Sequence, residues 1–122
     1  MNVLTEGSRR NAEFLISEAE HFRAREKVTV APGADTTLEA GTVLGIITAS
    51  GKYAIYDPDA VDGTESVAGI LYEEAKNADV ERTVIVREAQ VKADKLAWFD
   101  GADAGEIATG TAELLALGIV VR

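Results

Sequence analysis

The chain has 122 residues, 47% of them hydrophobic, with 12 Lys+Arg against 21 Asp+Glu, one His and no Cys. That length fits one domain around one core, and the missing cysteines exclude a disulfide framework, thiolate metal ligation and a cysteine nucleophile. A net charge of −9 argues against nucleic acid and anionic membranes as direct partners, because attraction to either depends on Lys and Arg neutralising negative charge.

The start of the chain, MNVLTEGSRRNAEF, lacks the apolar segment of a signal peptide. No apolar run approaches the roughly 18 residues needed to span a bilayer, so a protein made and used in a cytoplasm-like setting is expected. Residues 1–27 carry five basic and five acidic side chains, and residues 28–122 carry seven and sixteen. A neutral arm over 1–27 and an acidic body over 28–122 are therefore expected. Within the arm, Ala12, Leu15, Ile16, Ala19 and Phe22 fit the spacing of an amphipathic helix, which periodicity slightly favours. As an extended strand, the same segment would put Phe14 and Ile16 on one face and Leu15 on the other. Either way these apolar residues have no core of their own in the arm. The tetrapeptide Phe14-Leu15-Ile16-Ser17 is the candidate docking element, by strand addition to a sheet edge.

Beyond Lys27 the pattern turns to short β-branched runs: VTV at 28–30, TVLGII at 42–47, YAIY at 53–56, SVAGILY at 66–72 and RTVIVRE at 82–88. Ser50-Gly51-Lys52 lies between two of them and predicts a tight hairpin. TVLGII is continuously apolar, which predicts burial on both sides or a contact between subunits. TVIVR alternates, with Val84 and Val86 on one face and Thr83, Ile85 and Arg87 on the other, as in a half-buried strand. Gly45 and Gly69 interrupt their runs and predict a bulge, a bend or a close backbone approach. After FDGADAG, the residues Ile107, Thr111, Leu114 and Leu117 recur at helical spacing. Gly118 stands where a helix ends, and GIVVR reads as a closing strand.

Little in the chain suggests catalysis. His21, the single histidine, removes most nucleophile–base and histidine–metal arrangements and reads as a solvated surface residue. The loop Asp57-Pro58-Asp59-Ala60-Val61-Asp62-Gly63-Thr64-Glu65 is rich in oxygen donors, but its third carboxylate and its glycine fall one place too late for an EF-hand, and hairpin-loop chemistry accounts for it. Asp94-Lys95-Leu96 and AGTVLGII are similar to the lysine hairpin and small β-domain of lipoyl carriers. Lys95 lies beside Leu96, Ala97 and Trp98, however, and no second half of such a domain follows. Gly51-Lys52 lacks the glycine-rich strand–loop–helix of a phosphate loop. Glu73 and Glu74 would face opposite sides of a strand, a poor geometry for paired acid–base work. Trp98 and Phe99 read as core or subunit contact rather than a ligand platform.

Three blocks, in order, carry a family likeness: AGTVLGIITASGKYAIYD, with its terminal Tyr56-Asp57 pair; SVAGILYEEA, with Val67-Ala68-Gly69-Ile70-Leu71 around a glycine; and KLAWFDGADAGEIATGTAELLALGIVVR, with Leu96 and Trp98 before a Gly/Asp turn, a helix and a strand. Over residues 28–122 the chain resembles the lambda head decoration protein D family. It departs in Phe99, where the lambda protein has proline, and in its charged segment before Lys27.

The resemblance implies a mainly β, β-clip-like fold of short bent strands with one C-terminal helix and an extended N-terminal arm. It also implies a trimer at the local three-fold positions of an expanded capsid, stabilising the shell against DNA pressure, with the arm ordered on the major capsid protein. Such a protein is not an enzyme, needs no cofactor or metal, touches neither nucleic acid nor membrane, and belongs to the outer capsid surface of the virion after synthesis in the host cytoplasm. Val43, Leu44, Ile46, Ile70, Leu71 and Trp98 are then the expected core and trimer contacts. A lipoyl or biotinyl carrier and an unrelated self-assembling structural adaptor are the competing readings.

Overall fold

Each β-branched run contributes to a strand, and these strands close on one another. The structure, a computed structural model, describes residues 10–19, 23–33 and 35–122. In chain order the elements are β1 (Leu15–Glu18), β2 (Arg25–Val30), β3 (Thr37–Leu38), β4 (Val43–Ile46), β5 (Tyr53–Ile55), β6 (Gly69–Leu71), β7 (Ala75–Lys76), β8 (Val80–Ile85), β9 (Ala89–Val91), a 3-10 turn (Ala93–Lys95), α1 (Ala104–Ala116) and β10 (Ile119–Val121). Five of the strands form a closed barrel in the order β2-β5-β4-β6-β8, with β8 returning to β2. Closure removes the exposed edges that an open sheet of this size would present. Beside the barrel, β9 is the middle of a three-stranded sheet, antiparallel to β1 and parallel to β10, while β3 and β7 form a small ribbon.

The barrel wall divides the apolar interior in two. Inside it lie Val30, Leu38, Leu44, Tyr53, Leu71, Ala75, Val84 and Val86. On the other side are Phe14, Val43, Tyr56, Val67, Ile70, Ile85, Ala89, Val91, Leu96, Leu114 and Ile119, beneath α1 and the β1-β9-β10 sheet. Neighbouring residues on one strand therefore serve opposite clusters: Val43 and Leu44, Ile70 and Leu71, Val84 and Ile85. The expectation of a single core is corrected to two. The half-buried reading of TVIVR is corrected as well, because Ile85, assigned to the outer face, is fully buried under the second layer. TVLGII is buried on both sides within one chain, which accounts for its continuous apolarity.

Gly45 and Gly69 mark close approaches. A Cβ on Gly45 would lie 2.7 Å from the Ser66 carbonyl oxygen, and one on Gly69 would lie 2.7 Å from Val84 Cγ1. The expected hairpin forms between β4 and β5, where the Gly51 amide donates to the Ile47 carbonyl at 2.7 Å and φ at Gly51 is +75°. Asp103 caps α1: its Oδ1 accepts from the Glu106 amide at 2.8 Å while Glu106 Oε1 accepts from the Asp103 amide at 3.1 Å, a reciprocal capping box. Gly118, at φ +86°, ends the helix.

The N-terminal segment departs most from expectation. Residues 15–18 are a strand rather than a turn of helix, since pairing with β9 and burial of Phe14 outweigh helical periodicity. Its apolar residues do have a core, because Phe14 joins the layer beneath α1. The expected boundary at Lys27 falls inside β2, where Lys27 pairs with Thr83 in an unbroken ladder from Arg25 to Val30. Phe22 and His21 lie outside the described residues.

Candidate functional site

The segment expected to dock forms the outer edge of β1 among the described residues. Its approach is set by Ala12, whose amide donates to the Tyr72 carbonyl at 2.9 Å. Glu13 follows, accepting from the Arg10 amide at 2.9 Å and pairing with Lys95 Nζ at 3.2 Å. The Arg10 amide, and then Lys95, hold the Glu13 carboxyl below the usual carboxylate range. Phe14 is fully buried, and its carbonyl accepts from the Lys92 amide at 2.8 Å. Leu15 is partly buried against the same cluster.

At the far end, Glu18 receives Arg25 Nε at 2.8 Å and Arg25 Nη2 at 2.6 Å, both side chains being largely shielded from solvent. These bonds push the Arg25 pKa up. The same guanidinium lies 4.4 Å from the Tyr72 ring centroid. The Ala19 amide then donates to the Glu88 carbonyl at 3.0 Å.

Between these anchors Ile16, 47% exposed, and Ser17 face solvent. Leu15 stands opposite Val91 and Ser17 opposite Gln90, so Ile16 is an extra residue and β1 carries a bulge. The expectation that Phe14 and Ile16 share a face therefore fails, for a bulge breaks strict alternation. On its other side β1 pairs with no strand among the described residues. Of the four residues expected to dock, Phe14 and Leu15 are turned into the body while Ile16 and Ser17 are presented outward.

The expected contact residues separate in the same manner. Val43, Leu44, Ile70 and Leu71 are fully buried within one chain and have no surface left for another subunit. Ile46 and Trp98 keep partial exposure. Trp98 meets Tyr56 edge-on at 6.1 Å between ring centroids, and Phe99 meets the same ring at 5.9 Å. Gly110 of α1 leaves the notch that Trp98 fills. The Tyr56 hydroxyl is buried and has no hydrogen-bond partner among the described residues. Burial, followed by the charges of Glu113, Glu106 and Asp57, pushes its pKa up. A groove of about 400 Å³ opens beside these aromatics, lined in part by Leu38, Ile55, Trp98 and Phe99.

The other sequence candidates show structural uses. In the acidic loop, Asp62 Oδ1 accepts from the Thr64 amide at 3.0 Å and the Thr64 hydroxyl at 2.6 Å, which holds the Asp62 carboxyl low. Asp57 Oδ1 accepts from the Asp59 amide at 3.0 Å. These carboxylates shape turns, and among the described residues no group of three or more His, Asp or Glu side chains is placed to hold a metal. Lys95 closes the 3-10 turn and pairs with Glu13, unlike the lysine at the tip of a carrier hairpin. No helix among the described residues is long and apolar enough to cross a membrane. Sequence reasoning missed Glu13, Glu18 and Arg25. Their only signal was the charge on either side of FLIS, and their partners lie far along the chain or across a turn.

The model of one protein family, bacteriophage lambda head decoration protein D, matches residues 3–119 of the chain. No curated protein matches it.

Proposed function

Because the chain belongs to the bacteriophage lambda head decoration protein D family, we propose that it binds the expanded capsid as trimers at local three-fold positions and stabilises the shell against the pressure of packaged DNA. The observation that carries this reading is the family match over nearly the whole chain, 3–119, together with a mainly β body that ends in one helix and a strand. The β-clip description and the absence of direct contact with DNA belong to the same proposal. From Leu96 to Val121, and from Tyr53 to Ala75, the sequence has no basic residue, so these long stretches offer nothing to phosphate.

The mechanism needs no chemistry. A ligand that binds only the expanded lattice stabilises that lattice by mass action, and three weak contacts on one trimer combine to give strong retention. Docking occurs by strand addition at the outer edge of β1. Ile16 and Ser17 supply the contact, and Phe14 and Leu15 fix the strand to the body. The major capsid protein is the partner.

Mixing the protein with procapsids and with expanded heads, followed by sedimentation, tests the reading. Retention on expanded heads alone is expected. Equal binding to both forms, binding to neither, or tight attachment to bare DNA refutes it. Intact mass of the protein from its host addresses the carrier alternative, since a carrier shows a covalent adduct on lysine.

A further inference from the structure

We infer that the bulge at Ile16 in β1 is a selectivity device, keeping the docking edge from pairing with the same edge of another copy while leaving it open to a short strand of the capsid. The inference rests on the docking role proposed above for β1, and it concerns what that edge refuses.

An edge strand with an exposed β-branched residue is a template for any other strand, and regular edges of identical chains pair most readily because their registers match. Among the described residues β1 is such an edge, lying outermost in the β1-β9-β10 sheet with Ile16 47% exposed. A decoration protein is gathered at high local concentration, so the hazard is acute. A bulge answers it by inserting one residue that breaks the two-residue repeat of outward N–H and C=O groups. Two bulged edges brought together satisfy fewer bonds than two regular ones. A short strand can pair with the edge beyond the bulge while packing on the Ile16 side chain, and so loses fewer bonds than a second copy would.

The bulge would protect little if β1 could slide and absorb the extra residue. Both ends are pinned against this. Before the bulge, Phe14 is fully buried and its carbonyl is held by the Lys92 amide at 2.8 Å. After it, Glu18 is gripped by Arg25 through bonds of 2.8 and 2.6 Å, and the Ala19 amide bonds to the Glu88 carbonyl at 3.0 Å. Pinned ends with one surplus residue between them leave the irregularity no exit. Slippage by one residue would also carry Phe14 out of its cluster, a cost no solvent-exposed edge could offset.

Deletion of Ser17 is the test, since it leaves Leu15 opposite Val91, Ile16 opposite Gln90 and Glu18 opposite Ala89 in a regular ladder. The intact chain and this variant are compared by analytical ultracentrifugation over a range of concentrations. The variant is expected to show a weight-average mass that climbs toward twice the parent's, and the climb should vanish when Ile16→Lys is added. A folded variant sedimenting like the parent at every concentration overturns the inference.

Should the Ser17 deletion not fold, deletion of Ile16 restores the same register with Ser17 opposite Gln90, and Ser17→Lys is then the added substitution that should abolish the climb in mass. Head decoration is scored separately. If Ile16→Lys in the intact chain still decorates expanded heads, the docking reading fails, whereas the sedimentation result still decides whether the bulge prevents self-pairing.

Discussion

Phe14 and Ile16 stand two residues apart and should respond to mutation in opposite ways. Phe14 is fully buried in the cluster that also holds Val91, Leu114 and Ile119. Phe14→Ala loses the transfer energy of the ring and leaves a cavity, which together cost about 3–5 kcal/mol. Domains of this size hold only about 5–15 kcal/mol in all, so the variant should stand close to unfolding. Ile16→Lys changes a half-exposed side chain on an edge and should move stability by no more than about 0.5 kcal/mol.

The assay is urea denaturation at one fixed protein concentration, so that association does not mask the comparison. With a slope near 2 kcal/mol per molar urea, the Phe14→Ala midpoint should fall by about 2 M at unchanged slope. Head decoration should show the reverse order, with Ile16→Lys abolishing binding while its midpoint matches the parent. A midpoint shift below about 0.5 M for Phe14→Ala, or equal shifts for both variants, would refute the division of roles along this segment.

Gly110→Ala puts a Cβ into the Trp98 ring, 2.8 Å from Cη2. Overpacking of about 1–3 kcal/mol should exceed the gain in helix propensity of about 1 kcal/mol, and the near-ultraviolet dichroism of the single tryptophan should change. Tyr56→Phe removes a buried hydroxyl that lacks a partner among the described residues, so thermal unfolding should show stability raised by about 1 kcal/mol. Asp103→Ala breaks the capping box of α1 and should cost about 1 kcal/mol, read as a fall in melting temperature. Asp62 titrates below its usual range in the folded state because Thr64 donates to it twice. Its contribution to stability is therefore complete above the unfolded carboxyl pKa and is lost as pH falls through the lower folded value. Thr64→Val should bring the Asp62 titration, followed by carboxyl NMR, back toward the ordinary value.

Local signals in the sequence were reliable where a single residue decides the backbone. Gly51 at the β4–β5 hairpin and Gly118 at the end of α1 were both readable, since a positive φ selects glycine. Asp103 and Glu106 stand three apart, the spacing of a capping box, and this could have been read as well. The rest depended on partners far along the chain. β9, Ala-Gln-Val, has no strand signal of its own and exists because β1 and β10 flank it. The helical spacing of Ala12, Leu15, Ile16 and Ala19 was real, yet strand pairing and the burial of Phe14 outweighed it. The ion pair of Glu13 with Lys95 joins residues 82 positions apart, beyond the reach of any periodicity. Alternation in TVIVR gave the right faces for Val84 and Ile85, but no local pattern shows that a second layer covers the outer one.

If β1 is the docking strand, as proposed, its being already folded changes the energetics of attachment. Ordering a residue costs about 1–2 kcal/mol, so a free segment equal to the four residues of β1 would give up roughly 4–8 kcal/mol on pairing with a capsid strand. In this chain that cost is met during folding, by Phe14 in the core and by Glu13 and Glu18 in their ion pairs. Each backbone bond made at the edge then adds to affinity without repaying order. The same rigidity is a liability, because a preformed edge attracts every strand it meets, including its own copies. An edge held this firmly therefore needs an irregularity held as firmly, and Ile16, the surplus residue between the pinned ends of β1, provides it.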